Sequence, residues 1–454
     1  MTRHPFPYDV DPLDACRARP ELFPFLLQSA AQGGTQGRYD LLFARPDPAM
    51  LVLHADGHLT GPHADQGRGD FLRALDHWWQ AESPDPEAGD TGSIFHGGWF
   101  LFMGYEMAGQ VETRLSLPRG KTFPLAFAAR TPLALIRDHA THQAWLVHEP
   151  GYDPSLASVL ADILPRERRA AAGSDEVLAS PLVEEEPDRY LGQVERARRY
   201  IHDGDIFQAN LSRLWSAELR AGTTPTTLYS KLRAANPAPF AGLAYCDAGA
   251  VISSSPERLV RVADGRVETR PIAGTRPRSA DPARDAALIR ELIAHPKERA
   301  EHVMLLDMER NDLGRVSETG SVRVDELMVV ESYTHVHHIV SNVSGRLRSG
   351  ITPGQVIRAV FPGGTITGCP KVRCMQIIAE LEQAPREAYT GAMGYLGRDG
   401  SMDLNILIRT LVQQGRQLDF RAGAGIVADS VPTRELEETR AKARGLARAL
   451  GADA

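Results

Sequence analysis

The stretch from Phe361 to Lys371, FPGGTITGCPK, constrains this chain more than any other. Glycines, threonines and prolines packed this closely make poor helix and poor strand, so regular structure has to stop on either side. Phe361 ends an apolar periodic segment (Val356, Ile357, Val360), and beyond Pro370 a helical pattern opens with Val372, Met375, Ile377, Ile378 and Leu381. The loop should therefore bring backbone N–H groups, hydroxyls and Lys371 to the start of a helix, where the dipole favours negative charge. The expectation is an anion cradle. A nucleotide P-loop is excluded, because Cys369 and Pro370 separate Gly368 from Lys371 where that motif needs Gly-Lys-Ser/Thr in succession. A glycine-rich turn standing alone is as readily structural, so other segments must decide.

A chain of 454 residues exceeds one small core and fits one large or two intimate domains. With 51 basic against 58 acidic residues its formal charge is −7, which argues against a general nucleic-acid binder but not against a small anionic ligand. Cys16, Cys246 and Cys369 lie far apart, and Cys369 with Cys374 lacks a second pair to complete a zinc site, so a reducing compartment is expected. The N-terminus has no continuous apolar run, and no later segment is long and uncharged enough to span a membrane, so the expectation is cytoplasmic.

Residues from about Pro165 to Asp188, rich in charge, Ala, Pro and Ser, read as a linker. Before them lie β-type runs at Leu41 to Phe43, Met50 to His54 and Ala144 to His148, with a helical pattern from Phe71 to Trp79. After them, Tyr190, Val194, Ala197 and Ile201 mark a helix stopped at Gly204, and Asp264-Gly265 turns a hairpin within Val251 to Arg270. Met402 to Thr410 reads as one strand with mixed faces, and LDF as another leading into Gly423 to Gly425. Ser430 and Pro432 signal the start of a closing helix. Hairpins interspersed with helices, without strict βα alternation, predict an antiparallel α+β architecture.

Glu298 and Glu301 are three residues apart in a helical pattern and share a face, and Glu435 and Glu438 repeat the device in the closing helix. Such pairs are commonly solvated helix faces, with Glu438 and Lys442 forming an i, i+4 surface pair. Beside an anion loop, however, four carboxylates would repel the ligand unless a hard cation stood between them, and Mg²⁺ takes such oxygen ligands. Arg409, Lys442 and the amides of Gly423 to Gly425 suit a second negative group, so the inferred ligand is a small polyanion.

These residues together resemble the chorismate-utilising enzymes, the family of the anthranilate synthase and aminodeoxychorismate synthase large components. The similarity is densest from about Tyr190 onward, through FQANLSR, SSSPERLV, RPIAGTRPR, HPKERAEHVMLLDMERNDLGRV, HHIVSNVSG, FPGGTITGCPK, LIRTL and AGAGIVADS. It implies two antiparallel sheets with helices packed outside, an amino-terminal subdomain over 1–165, a linker over 166–188 and a chorismate-binding catalytic domain over 189–451. It implies Mg²⁺ held by Glu298, Glu301, Glu435 and Glu438, with Glu301 and Glu438 as direct ligands. It further implies Glu257 as general acid and base, His338 lining the ring and Thr365 contacting the substrate. Thr275, Tyr389, Arg409, Gly423, Ala424, Gly425 and Lys442 would bind it. His335 and His337 share a strand face and suggest packing or hydrogen bonding, not a metal cluster. Tyr389 also suits a plain core aromatic.

Gln208 narrows the chemistry implied by the resemblance. Isochorismate and salicylate synthases carry a water-activating lysine here, which glutamine cannot replace, so ammonia is the expected nucleophile. No Gly-x-Cys-x-Gly elbow of a glutaminase is present, so a separate glutamine amidotransferase partner is expected. Ala273 stands where many aminodeoxychorismate synthases have a covalent lysine and anthranilate synthases have alanine. FPGGTITG, SPERL, HHIVS and NPAPF lean toward the C4-aminating, folate-directed type. LLQSA departs from the Leu-Leu-Glu-Ser form tied to tryptophan feedback, although Gln28 and Ser29 keep part of it. The intact set Glu257, Glu301, Arg409, Glu438 and Lys442 argues against a non-catalytic binding protein.

Overall fold

The computed structural model describes residues 2–31, 37–44, 49–64, 69–83, 94–150, 155–164, 176–333 and 336–452. Two antiparallel sheets account for the strands among them, one of twelve strands and one of eleven. Strands from the first 150 residues are built into both. Phe25–Gln28 pairs with Phe240–Cys246 in the larger sheet, and Gly98–Met103 pairs with Ala392–Gly397 in the smaller. The part of the expected linker at 165–175 lies outside the described residues. Val183–Glu184 adds a short strand to the edge of Gln208–Glu218.

The sheets face each other across an aromatic core, as the alternation of Phe100 and Phe102 with Trp99 and Leu101 requires of a strand buried on both sides. Phe25 of one sheet stacks on Phe100 of the other with ring centroids 4.2 Å apart. Helices cover the outer faces. Phe71–Glu82, Pro296–Gly314 and Pro353–Val360 bury Leu75, Leu306, Leu313 and Val356 against the smaller sheet. Pro225–Ala235 and Pro432–Ala449 bury Leu228, Leu232, Ala443 and Leu446 against the larger. This is the expected arrangement of two antiparallel sheets with helices outside. No described helix is long and apolar enough to cross a membrane.

One local expectation fails. Met402 to Thr410 is not one strand: Met402–Ile406 belongs to the smaller sheet and Thr410–Gln414 to the larger, and Leu407 to Arg409 make the change. The apolar alternation runs through that break because both halves are buried. The closing helix begins at Pro432 as expected, although Ser430 does not cap it through its side chain. Its hydroxyl accepts from Val427 N–H, and Val431 at the N-cap offers no side-chain acceptor.

Candidate active site

The chain leaves one sheet for the other at two adjacent places. Gly249–Ser255 gives way to Arg258–Ala263 with Glu257 in the gap, and Met402–Ile406 gives way to Thr410–Gln414 with Arg409 in the gap. The crossings are tied by backbone hydrogen bonds. Ile406 N–H donates to the Glu257 carbonyl at 3.0 Å, and Ser254 N–H donates to the Arg409 carbonyl at 3.1 Å. Arg409 takes φ of 51°, a left-handed conformation uncommon outside glycine and typical of functional positions.

Glu257 is 5% exposed, and its Oε1 has no hydrogen-bond partner among the described residues. Burial pushes this carboxyl up to about 7, against the nearby Thr365 hydroxyl, the Ile272 backbone and the charges of Lys442 and Arg409. Burial also draws the Arg409 guanidinium below its usual range, with Glu257 opposing. No carboxylate stands within ion-pair reach of Arg409 among the described residues. A cation and a protonatable carboxyl thus stand at adjoining crossings and feel each other's charge, a combination suited to an anionic ligand that must receive a proton.

The neighbouring wall comes from Ile272–Pro277 and Val336–Arg346, in which Thr275 pairs with His338. His338 Nδ1 and Thr275 Oγ1 share a hydrogen bond of 2.9 Å. Burial, reinforced by the Arg409 charge, pushes the imidazole down to about 4, so it is neutral at pH 7. His337 points elsewhere and is held by Ser332 at 2.7 Å and Asp285 at 3.0 Å, as its packing role predicts. His335 lies outside the described residues. Ala273 is buried opposite Ile339 just before a bulge at Gly274, whose φ is 66°. A Cβ at Gly274 would come within 2.7 Å of Glu298 Oε2, so glycine lets this strand close on the acidic helix.

Gly423, Ala424 and Gly425 belong to the strand Gln417–Ile426, not to a loop, and pair with Ser212, Leu211 and Asn210. Asn210 and Ser212 donate their N–H to Thr367 and to Glu382 on the far side of their own strand. Their pairs with Gly425 and Gly423 are therefore the non-hydrogen-bonded ones, which turns both glycine amides toward the other edge of the strand. Lys442 Nζ donates to the Gly423 carbonyl at that edge, at 2.9 Å. A Cβ on Gly423 would meet Tyr389 Oη at 2.6 Å, and one on Gly425 would meet Gln208 Nε2 at 2.5 Å, so both glycines leave hollows beside functional side chains. Burial pushes the Tyr389 phenol up to about 12, so it stays protonated, and Arg386 stands 5.5 Å from its ring centroid.

The acidic pairs flank this strip from two helices. Glu301 on Pro296–Gly314 accepts from Gln208 Nε2 at 2.6 Å, beside Gly425. Glu298 pairs with Arg276 at 2.8 Å through Oε1, while its Oε2 is buried without a partner among the described residues. Glu435 and Glu438 lie on Pro432–Ala449, and Glu438 pairs with Lys442 at 2.8 Å, the i, i+4 contact of a helix surface. Among the described residues no three His, Cys, Asp or Glu converge on one point. Two carboxylate pairs with one orphaned oxygen still suit Mg²⁺, which commonly takes one or two carboxylates and completes its shell with water and ligand oxygens.

The loop that opened the sequence reading behaves differently from expectation. Lys371 is not available to an anion, because it forms an ion pair with Asp312 and donates to the Val360 carbonyl at 3.2 Å. Thr367 Oγ1 donates back to the Gly363 carbonyl at 2.9 Å. Asp312 and Glu309 are both buried beneath the loop, and their desolvation demands a cation there. What the loop presents is Thr365, whose hydroxyl faces Glu257, and Gly368–Cys369, which pairs with Gln208 and Ala209. It is a support for the cleft, not an anion cradle.

Two groups escaped the sequence reading. Arg386 and Glu382 form a fully buried ion pair at 2.6 Å, and Arg386 also donates to the Asn210 carbonyl at 2.7 Å. No pattern announces them, since a buried pair at i, i+4 looks like any surface pair in sequence. Asn210 did have a signal: in FQANLSR it stands two residues from Gln208, and a strand puts such residues on one face.

Paired crossings between two antiparallel sheets, carrying a guanidinium without an ion-pair partner among the described residues, edge glycine amides and a raised carboxyl near acidic helices, define an enzyme site suited to a small polyanion. A profile described as chorismate binding enzyme matches residues 26–448. The chain belongs to the chorismate binding enzyme family. It is 41% identical to aminodeoxychorismate synthase component 1 of Bacillus subtilis over 94% of this chain and 91% of that one. It is equally 41% identical to anthranilate synthase component 1 of Streptomyces coelicolor, over 94% and 83% respectively. Its fold matches the crystal structure of anthranilate synthase component I from Streptococcus pneumoniae with a TM-score of 0.77 and 33% identity, covering 91% of this chain and 93% of that one.

Proposed function

We propose that the chain aminates chorismate at ring C4, giving 4-amino-4-deoxychorismate for 4-aminobenzoate and folate synthesis. The observation that carries this reading is the identity to the B. subtilis relative through nearly the whole of both chains. The term component 1 in that relative's name supports a second component, here a glutamine amidotransferase that delivers ammonia.

In this reading Arg409 grips one carboxylate of chorismate bidentately, and the Gly423 and Gly425 amides with Tyr389 receive the other. Neutral His338, fixed by Thr275, lines the ring without adding charge. Glu257, protonated near neutrality, gives its proton to the departing C4 oxygen as the C4–O bond breaks, so water leaves. The ammonia lone pair forms the new C–N bond, and the carboxylate of Glu257 takes one proton back from the resulting ammonium nitrogen. Ala273 supplies no nucleophile, so the attack proceeds without a covalent enzyme intermediate at that position. Glu301 and Glu438, backed by Glu298 and Glu435, would hold Mg²⁺, which when bound offsets negative charge on the ring carboxylate and the leaving oxygen. Glu301→Gln and Glu438→Gln should each abolish magnesium-dependent turnover and the upward Tm shift that magnesium gives the parent. Unchanged turnover in both variants would remove the metal assignment.

Amination at C2 with pyruvate loss, giving anthranilate, is favoured by Ala273 and by the S. coelicolor relative. Product analysis by liquid chromatography and mass spectrometry separates the two, using chorismate, Mg²⁺ and ammonium salt at alkaline pH with and without an aminodeoxychorismate lyase. Lyase-dependent 4-aminobenzoate establishes C4 amination, whereas lyase-independent anthranilate overturns it.

A further inference from the structure

On the site face of Gln208–Glu218, two amide side chains carry buried oxygens with no hydrogen-bond donor among the described residues, Gln208 Oε1 and Asn210 Oδ1. Leaving such an acceptor unmet in a folded interior is costly, and these two are neighbours on one strand face. Neither is a loose surface group. Gln208 is 5% exposed and fixed by its Nε2 to Glu301 at 2.6 Å. Asn210 has its backbone held on both sides, its N–H donating to Thr367 at 2.9 Å and its carbonyl accepting from Arg386 at 2.7 Å. Asn210 Oδ1 lies 2.7 Å from the position a Cβ would take on Gly423, so it borders the hollow which that glycine leaves beside Tyr389 Oη.

We infer that Asn210, together with Gln208, forms the receiving site for the ammonia nucleophile. The inference rests on the amination reading above. Ammonia brings three N–H donors and one lone pair, and to attack carbon it must spend hydrogens on acceptors and keep the lone pair free. Amide oxygens accept those hydrogens without a full negative charge. A carboxylate in the same place would favour ammonium, whose lone pair is already used. The strand thus offers neutral acceptors where the nucleophile must stay unprotonated, and the adjoining carboxylate, Glu301, is engaged by Gln208 Nε2 at 2.6 Å.

The test measures steady-state kinetics of the full chain with chorismate, Mg²⁺ and ammonium salt, varying ammonia and chorismate separately. Turnover by the parent is the control for the amination reading itself; a parent that makes no aminated product with ammonia overturns that reading. Given an active parent, Asn210→Ala should raise the KM for ammonia about tenfold, the worth of one good hydrogen bond, and leave the KM for chorismate within twofold. Asn210→Asp, which keeps the shape, should do no better than alanine, and its deficit should grow as pH falls and ammonium predominates. An unchanged ammonia KM in Asn210→Ala overturns the inference, as does an equal rise in both KM values or full activity in Asn210→Asp.

Discussion

Glu257→Gln should lower kcat by about 10²–10⁴-fold, the usual worth of a positioned general acid, with chorismate KM little changed. In the parent, kcat/KM measured at constant free ammonia should fall as pH rises through about 7, because the proton on Glu257 is lost there. The variant should lack that limb. Stability gives an independent readout with a definite sign. The folded carboxyl is raised from 4.5 to about 7, so the folded state holds the proton more tightly than the unfolded chain. Its contribution is fully present below pH 4.5 and is lost as pH rises through 7, on the order of 3 kcal/mol. Glutamine cannot ionise, so the Tm of Glu257→Gln relative to the parent should climb between pH 5 and pH 8. Glu106, also raised by burial and without influence from Glu257, is present in both proteins and cancels in the comparison. A Tm difference independent of pH, or a parent without the limb, would remove Glu257 from the acid role.

Arg409→Ala should lose about 10²–10³-fold in kcat/KM for chorismate, the cost of withdrawing a desolvated guanidinium from a carboxylate. Most of it should appear in KM if the clamp acts equally on substrate and transition state. The protein should not melt earlier. Arg409 has no carboxylate partner among the described residues to strand, and its removal deletes a charge whose burial is unfavourable in the empty cleft. Arg409→Lys should recover little, because a point charge cannot reproduce the planar two-pronged grip. Thermal shift with and without chorismate checks both halves: Arg409→Ala should keep the parent's Tm and lose the upshift. A large drop in Tm would make the residue structural.

What was legible in sequence follows from how locally each feature is specified. The α+β class came from hairpin turns such as Asp264-Gly265, where left-handed φ at both residues dictates the reversal. The helices bearing Glu298, Glu301, Glu435 and Glu438 followed from periodicity. The sheet change at Leu407 to Arg409 did not, because residues buried in either sheet are equally apolar and the switch needs only one unusual backbone angle. Lys371 misled for a related reason. A lysine after a glycine-rich loop reads as an anion binder, yet its ion-pair partner Asp312 comes from a helix some sixty residues earlier and was invisible in the local pattern. Asn210 carries no motif signal of its own beside Gln208, although the strand period places both on one face.

The paired crossings have a consequence for how such a protein can change its chemistry. Glu257 and Arg409 are set by backbone geometry, each bonded through the main chain to the neighbouring crossing, so the proposed proton donor and the proposed carboxylate grip move as one unit or not at all. Gln208, Asn210 and Ala273 instead project as side chains from strands whose ladders do not depend on them. In the proposed reading, the part that would expel the leaving group is therefore fixed by the main chain, while the part that would choose what attacks is written in exchangeable letters. A lineage built on this frame can trade one nucleophile for another by point substitution without dismantling the machinery that opens the ring carbon.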